Sequence, residues 1–240
     1  MICMFVYPQY TESMAGLYII ATPIGHLGDI TRRAVETLSG VHTIACEDTR
    51  HSRRLLTHLG ISRPLLSCRG QNTARVLPQI LALLGAGEDV AYISDAGTPG
   101  VSDPGSALVR GVRAAGFDII PIPGASAVTA LLSVSGVAGR GWFFEGFLPP
   151  KGAKRLTRLK ELVSRGDPFL LYESPHRIAK LFDELCQAAP GHRLLVGREL
   201  TKIHEQIVEI PVENGPEQVE NGSIPTRGEF AVLVWTGKRR

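Results

Sequence analysis

From Leu17 onward the chain alternates short runs of β-formers with stretches whose apolar residues recur every three or four positions, and this alternation limits the fold more than any other feature. Residues 17–21 are rich in β-formers and end in the turn Thr22-Pro23-Ile24-Gly25. Asp29 is expected to cap a helix whose Ile30, Ala34 and Leu38 share one face, with Gly40 as its stop. Residues 41–46 read as the next strand and run into Glu47-Asp48-Thr49-Arg50. Leu55, Leu56 and Leu59 mark a helix stopped by Gly60, and Val76, Leu77, Ile80, Leu81 and Leu84 mark another, whose start Pro78 should delay. Residues 90–94 and 119–122 read as strands. Between them Asp103-Pro104 is expected to cap and open a helix carrying Leu108, Val112 and Ala115.

Strand–helix alternation implies α/β architecture, with a mainly parallel sheet covered by helices. The second half begins after Pro123-Gly124, with strands expected at 142–148, 169–172, 194–196 and 230–235 and a Gly/Pro-rich last connection at 211–228. With 240 residues the chain can bury two cores. We read an extension over 1–14, an α/β domain over 15–122 and a second over 123–240, hinged near 121–140. Residues 1–13 lack a basic start and an unbroken apolar stretch, so they make a poor signal peptide and read as an extension ahead of Met14.

Composition excludes several classes. An apolar fraction of 44% with a net charge of only +3 argues against disorder. No apolar run approaches the roughly 18 residues that span a bilayer. Cys3, Cys46, Cys68 and Cys186 are scattered without a CxxC pair or zinc spacing, which reads as reduced thiols of a cytoplasmic protein without a metal site. Neither GxGxxG nor GxxxxGK[ST] occurs, which argues against a typical dinucleotide fold and a P-loop enzyme.

In open α/β sheets ligands bind beyond the carboxyl ends of strands. The unusual residues fall there repeatedly: after the expected strands come Thr22–Gly25, Glu47–Arg50, Ser94-Asp95-Ala96-Gly97-Thr98-Pro99, Pro123-Gly124-Ala125-Ser126-Ala127, Glu173-Ser174-Pro175-His176-Arg177 and Glu199-Leu200-Thr201-Lys202. One Gly/Pro turn is ordinarily structural. Six that bring charges and small residues to one edge mark a site. Gly97 and Gly124 let main chain approach a ligand, and Thr98 and Ser126 add hydroxyls beside amides.

The residues 17–25 (LYIIATPIG), Cys46-Glu47-Asp48-Thr49-Arg50, residues 94–99, Phe144-Glu145-Gly146-Phe147-Leu148-Pro149, Tyr172-Glu173-Ser174-Pro175-His176-Arg177 and Arg198-Glu199-Leu200-Thr201-Lys202 together resemble the RsmI family. Its members are bacterial ribosomal small-subunit RNA (cytidine-2′-O)-methyltransferases within the tetrapyrrole methylase superfamily. The resemblance runs from about Leu17 to Gly237. It implies two α/β domains of the tetrapyrrole methylase type, S-adenosylmethionine (SAM) in the cleft between them, and a homodimer. By motif position it implies Pro23, Asp95, Ala96, Gly97, Thr98, Pro99, Val101, Ser126 and Ala127 as cofactor residues, joined by Tyr172, Leu200 and Ala231. The chain departs from the family pattern at His26, where Asn is usual, at Gly70-Gln71-Asn72-Thr73, where His-Asn-Glu is usual, and in ending at Arg240 without a small C-terminal extension.

Methyl transfer to a ribose hydroxyl needs in-line alignment and a proton acceptor, but no metal. Asp48 and Glu47 are the first candidates for acceptor and Asp95 the third, with Arg50 placed for a phosphate. A structural Asp48–Arg50 ion pair and a loop-bracing Asp95 are equally open. His51, His58 and His176 read as surface or helix-capping groups, and Glu173 as either a substrate-orienting group or a cap. Arg50, His51, Arg53, Arg54 and Arg69 form one basic group; Lys151, Lys154, Arg155, Arg158 and Lys160 form another. A charged face is most often simply solvated. Two such groups point to phosphate contact with ribosomal RNA or the small ribosomal subunit. The rival readings are a tetrapyrrole C-methyltransferase and a non-catalytic RNA-binding assembly protein.

Overall fold

The computed structural model describes residues 15–137 and 141–236; the extension expected over 1–14 lies outside them. The chain forms two compact units. One runs to Thr22 and resumes over Ile30–Gly124; the other takes Pro23–Asp29 and the chain from Ala125.

The first unit contains strands β1 (Gly16–Ile20), β2 (Thr43–Cys46), β3 (Leu65–Ser67), β4 (Val90–Ile93) and β5 (Asp118–Ile122). They form one sheet in the order β3-β2-β4-β1-β5, and every pair is parallel. Helices α1 (Arg32–Gly40) and α2 (Thr49–His58) cover one face, and α3 (Thr73–Gly85) and α4 (Ser106–Ala114) the other. Strand alternation divides the residues between two cores. Ile44, Cys46, Ala91 and Ile93 pack with Ala34, Leu38 and Leu56. Ala45, Val90 and Tyr92 pack with Val76, Ile80, Leu84, Leu108 and Val112. A strand buried on both faces reads as a continuous apolar run, as β2 and β4 do.

Three helix starts differ from expectation. Thr31, not Asp29, caps α1, its side chain accepting from the Ala34 amide at 3.1 Å. Asp29 lies in a separate 3-10 turn, Leu27–Asp29. Pro78 does not delay α3, which begins at Thr73 and carries the proline inside. Burial of Val76, Ile80 and Leu84 outweighs the one hydrogen bond that the proline removes. Asp103 does not cap α4, which follows Gly105; its carboxyl is engaged by the Ser94 side chain instead.

The second unit contains β6 (Phe143–Phe147), β7 (Phe169–Glu173), β8 (Arg193–Arg198), β9 (Gln206–Pro211) and β10 (Phe230–Trp235), in the order β6-β7-β10-β8-β9. Only β6–β7 is parallel, so this sheet is mixed and not mainly parallel. The short β8–β9 connection forces an antiparallel pair. Strand β9 has no counterpart among the sequence expectations, because Glu209 and Pro211 interrupt its apolar run. Helices α6 (Ala153–Ser164) and α7 (Ile178–Ala188) cover one face of the sheet, and α5 (Ala127–Ser133) the other. Within 211–228 the chain forms the short helix α8 (Gly215–Glu220).

Candidate active site

Because the first sheet is parallel, all five carboxyl ends lie along one edge. From β2 the chain leads outward to β3, whereas from β4 it leads past β1 to β5. Neighbouring strands with diverging connections leave a crevice between them, the usual ligand site of an open α/β sheet. A cavity of about 620 Å³ lies there, lined by Glu47, Asp48, Arg69, Gly70, Gln71, Asp95 and Pro104. The structure thus gathers Glu47, Asp48, Arg69 and Asp95. It also places Gly70 and Gln71 on the cavity wall.

Asp48 is the cap of α2. Its Oδ1 accepts from the Arg50 amide at 2.8 Å and the His51 amide at 3.3 Å. The Arg50 amide and then the His51 amide hold its carboxyl below the usual range. The Asp48–Arg50 ion pair, at 3.8 Å with the Arg50 side chain 89% exposed, adds little. Arg50 itself points into solvent.

Glu47 is half-buried, and its Oε1 is shielded from water without a hydrogen-bond partner. Burial, then the charges of Asp103 and Asp95, push its carboxyl up to about 7, against the Asp95 amide and Arg69. Arg69 Nε donates to the Glu47 carbonyl oxygen at 2.9 Å, and its terminal nitrogen lies 3.6 Å from Asp48 Oδ2. Asp95 accepts from the Asp48 amide at 3.2 Å, so it braces this turn. Asp103 is raised by burial, with a bond from Ser94 opposing. Sequence reasoning used Asp103 only as a cap; no spacing rule connects a residue after Ser102 to the end of β2.

The turn after β4 folds back on the end of β1. Thr22 and Gly97 exchange amide–carbonyl bonds of 2.9 and 3.0 Å, with Gly97 at φ 78°, where a side chain would be strained. Asp95, Ala96 and Val101 are exposed, Thr98 is half-buried, and Gly97 and Pro99 are buried.

The other expected cofactor residues belong to the second unit. Ala127, Tyr172, Leu200 and Ala231 share one apolar cluster, joined by Ile24 beside Pro23, and Ser126 precedes the start of α5. Ala231 pairs with Tyr172 across β10 and β7, and the Tyr172 ring meets Phe144 and Phe147 edge-on at 5.0 and 5.7 Å. The turn after β8 holds Glu199 and Thr201 at φ 51° and 64°, unusual for residues with side chains. Lys202 closes it on Glu199 and Glu229 at 2.8 and 2.7 Å. The 23–29 segment docks on it: the His26 amide donates to Thr201 Oγ1 at 3.0 Å. At Gly25 a Cβ would come within 2.4 Å of Lys202 Cγ. His26 Nδ1 accepts from the Gly28 amide, a local role within this segment.

Among the expected RNA contacts, Arg53, Arg54 and His51 are exposed on α2, as are Lys151 and Lys154 at and before α6. Arg155 requires correction. It is fully buried, donating to Glu173 Oε2 at 2.7 Å, Glu184 Oε2 at 2.6 Å and the Pro149 carbonyl oxygen at 3.3 Å. A guanidinium so committed touches no phosphate. Arg158 is likewise tied to Glu145 and Glu161. Glu173, whose two oxygens serve Arg155, Arg177 and the Ser174 amide, is a buried structural hub.

The Tetrapyrrole (Corrin/Porphyrin) Methylases profile matches residues 16–214. The fold is shared with cobalt precorrin-4 methyltransferase, at TM-score 0.69 and 18% identity over 92% of this chain and 94% of that one. It is shared too with uroporphyrin-III C-methyltransferase from Thermus thermophilus, solved with S-adenosyl homocysteine, at 0.64 and 17% over 92% and 97%. Ribosomal RNA small subunit methyltransferase I of Synechocystis is 48% identical over 92% of this chain and 79% of its own. That of Xylella fastidiosa is 45% identical over 91% and 80%. With such identity along nearly the whole sequence, the chain belongs to the ribosomal RNA small subunit methyltransferase I (RsmI) family of tetrapyrrole methylases.

Proposed function

We propose that the protein transfers the methyl group of SAM to the ribose 2′-hydroxyl of a cytidine in small-subunit ribosomal RNA. The observation that carries this reading is the 45–48% identity with ribosomal RNA methyltransferases over 91–92% of the chain. Likeness to the corrin and porphyrin enzymes stands at only 17–18% identity and concerns the fold.

The residues fit such a cofactor. The Asp95–Pro99 turn offers main chain and small side chains at a sheet edge, and Asp95, Asp103 and Glu47 make that edge favourable for a cation. When bound, SAM supplies an electrophilic methyl on a positively charged sulfur. We assign its binding to residues 95–99 and Val101 in the first unit and to Pro23, Ser126, Ala127, Tyr172, Leu200 and Ala231 in the second. Arg50, His51, Arg53 and Arg54, at the start of α2, and Lys151 and Lys154 are assigned to phosphates, giving salt-dependent affinity without sequence choice. Arg69, fixed by Glu47 and Asp48, orients the substrate at the cavity mouth. A carboxylate of the cavity takes the hydroxyl proton, and alignment of the hydroxyl with the methyl lowers the barrier. The 2′-hydroxyl itself distinguishes RNA from DNA. We read the protein as a cytoplasmic homodimer.

The test is mass mapping of ribose methylation in small-subunit RNA from cells with and without the gene, followed by incubation of unmethylated subunits with purified protein and SAM. The expected result is one 2′-O-methylcytidine, absent without the gene and restored in vitro. Unchanged methylation in the deletion strain would refute the reading.

A further inference from the structure

We propose that Glu47, and not its neighbour Asp48, takes the proton from the ribose 2′-hydroxyl; this rests on the methyltransferase reading above. Three carboxylates, Glu47, Asp48 and Asp95, line the crevice between β2 and β4, a fourth, Asp103, acts on Glu47, and geometry separates them. Asp48 Oδ1 is held by two amides at the start of α2, and moving it would uncap the helix. Asp95 accepts the Asp48 amide, and Asp103 is engaged by Ser94. Glu47 lines the same cavity, and its Oε1 carries no hydrogen bond among the described residues. Its main chain is fixed, since Arg69 holds its carbonyl oxygen at 2.9 Å. A carboxyl on a rigid strand end, with unspent acceptor capacity and a cavity beside it, suits proton transfer. A capping carboxylate does not.

The surroundings set its basicity. Burial foremost, then the facing charges of Asp103 and Asp95, raise the Glu47 carboxyl to about 7, while the Asp95 amide and Arg69 oppose them. Asp48, next in the chain, is held ionised by its amides. Tyr92 and Cys68 also face Glu47, but burial pushes both upward, so they stay neutral around pH 7. An acceptor that titrates near the working pH is both available and far more basic than a surface carboxylate.

In the step, the 2′-oxygen uses an electron pair to bond the methyl carbon, and its proton passes to the Glu47 carboxylate. The electrons of the broken carbon–sulfur bond stay on sulfur, which becomes a neutral thioether. Glu47 then gives its proton to water.

The first readout needs no activity: protein labelled with 13C at glutamate carboxyls is titrated by NMR, as wild type and as Glu47→Gln. One carboxyl titrating near pH 7, missing in the variant, is expected. The second is single-turnover methylation of unmethylated small subunits across pH. Wild type should show a rate that rises with pH through the same value. Glu47→Gln should lose about 10²–10⁴-fold in rate at saturating cofactor and RNA. Glu47→Asp should retain the pH dependence at a reduced rate, and Asp48→Asn should keep the limb near pH 7. No glutamate titrating near 7, or a Glu47→Gln variant with the wild-type rate and limb, overturns the proposal. An inactive wild type overturns the methyltransferase reading itself, a distinguishable result.

Discussion

Replacing Arg155 by alanine tests whether this cation belongs to the fold or to the RNA surface. The side chain is fully buried and bonds Glu173 at 2.7 Å, Glu184 at 2.6 Å and the Pro149 carbonyl oxygen at 3.3 Å. Removing one partner of a buried ion pair costs about 3–5 kcal/mol, because the other charge is left desolvated. Glu173 would keep Arg177 at 2.7 Å and the Ser174 amide at 2.8 Å, and Glu184 would keep Lys180 at 3.8 Å, so we expect the lower end, about 3 kcal/mol. Both tryptophans, Trp142 and Trp235, lie in the second unit, so their fluorescence in urea follows the unit that Arg155 stabilises. With a urea slope of about 1–3 kcal/mol per molar, the midpoint should fall by about 1–3 M. Below the transition, the salt dependence of RNA binding should match wild type. Lys151→Ala with Lys154→Ala should do the reverse, keeping the midpoint and flattening the salt slope by about 0.7–0.9 for each phosphate no longer neutralised. An Arg155→Ala protein with the wild-type midpoint and a flatter slope would refute the burial argument.

Three further outcomes follow from the first unit. Arg53→Ala with Arg54→Ala, both exposed on α2, should weaken RNA binding and its salt slope without changing cofactor affinity measured by titration calorimetry. Asp48→Ala should lower the midpoint of thermal unfolding, the usual effect of losing a helix cap. Glu47→Gln should stabilise the protein at high pH. The folded state raises this carboxyl from 4.5 to about 7, so its favourable contribution is complete below pH 4.5 and is lost as pH rises through 7. At about 1.4 kcal/mol per unit the limit is about 3 kcal/mol. Solvent screening at a half-buried group brings it to about 1–2 kcal/mol. A variant that gains nothing above pH 7 in urea titrations would count against the raised carboxyl.

The first sheet was legible because its chemistry is repetitive: β2 and β4 are apolar on both faces, and each is followed within two residues by a carboxylate. The strand order, and with it the β2–β4 crevice, was not, since nothing in residues 43–46 or 90–93 says which edges meet. Glu47 and Asp48 were found together as candidates, but their separation into a buried acceptor and a helix cap depends on which oxygen an amide reaches. Arg155 misled because it sits among real surface cations in sequence. Only the distant Glu173 and Glu184 show that it points inward. The β9 strand was missed because Glu209 and Pro211 break its apolar run and its pairing with β8 is tertiary.

The 23–29 segment leaves the first unit after Thr22 and returns at Ile30, so the backbone passes between the units three times, the last after Gly124. A fragment cut at that last passage would carry the second sheet without the strip that supplies Ile24 to its apolar cluster and a donor to Thr201 Oγ1. Neither half is thus a self-sufficient cassette. Residues translated near the start must wait, unsatisfied, until the turn after β8 has been synthesised. Dissecting the protein into separately expressed halves would call for grafting those seven residues onto the later piece, or for co-expressing both.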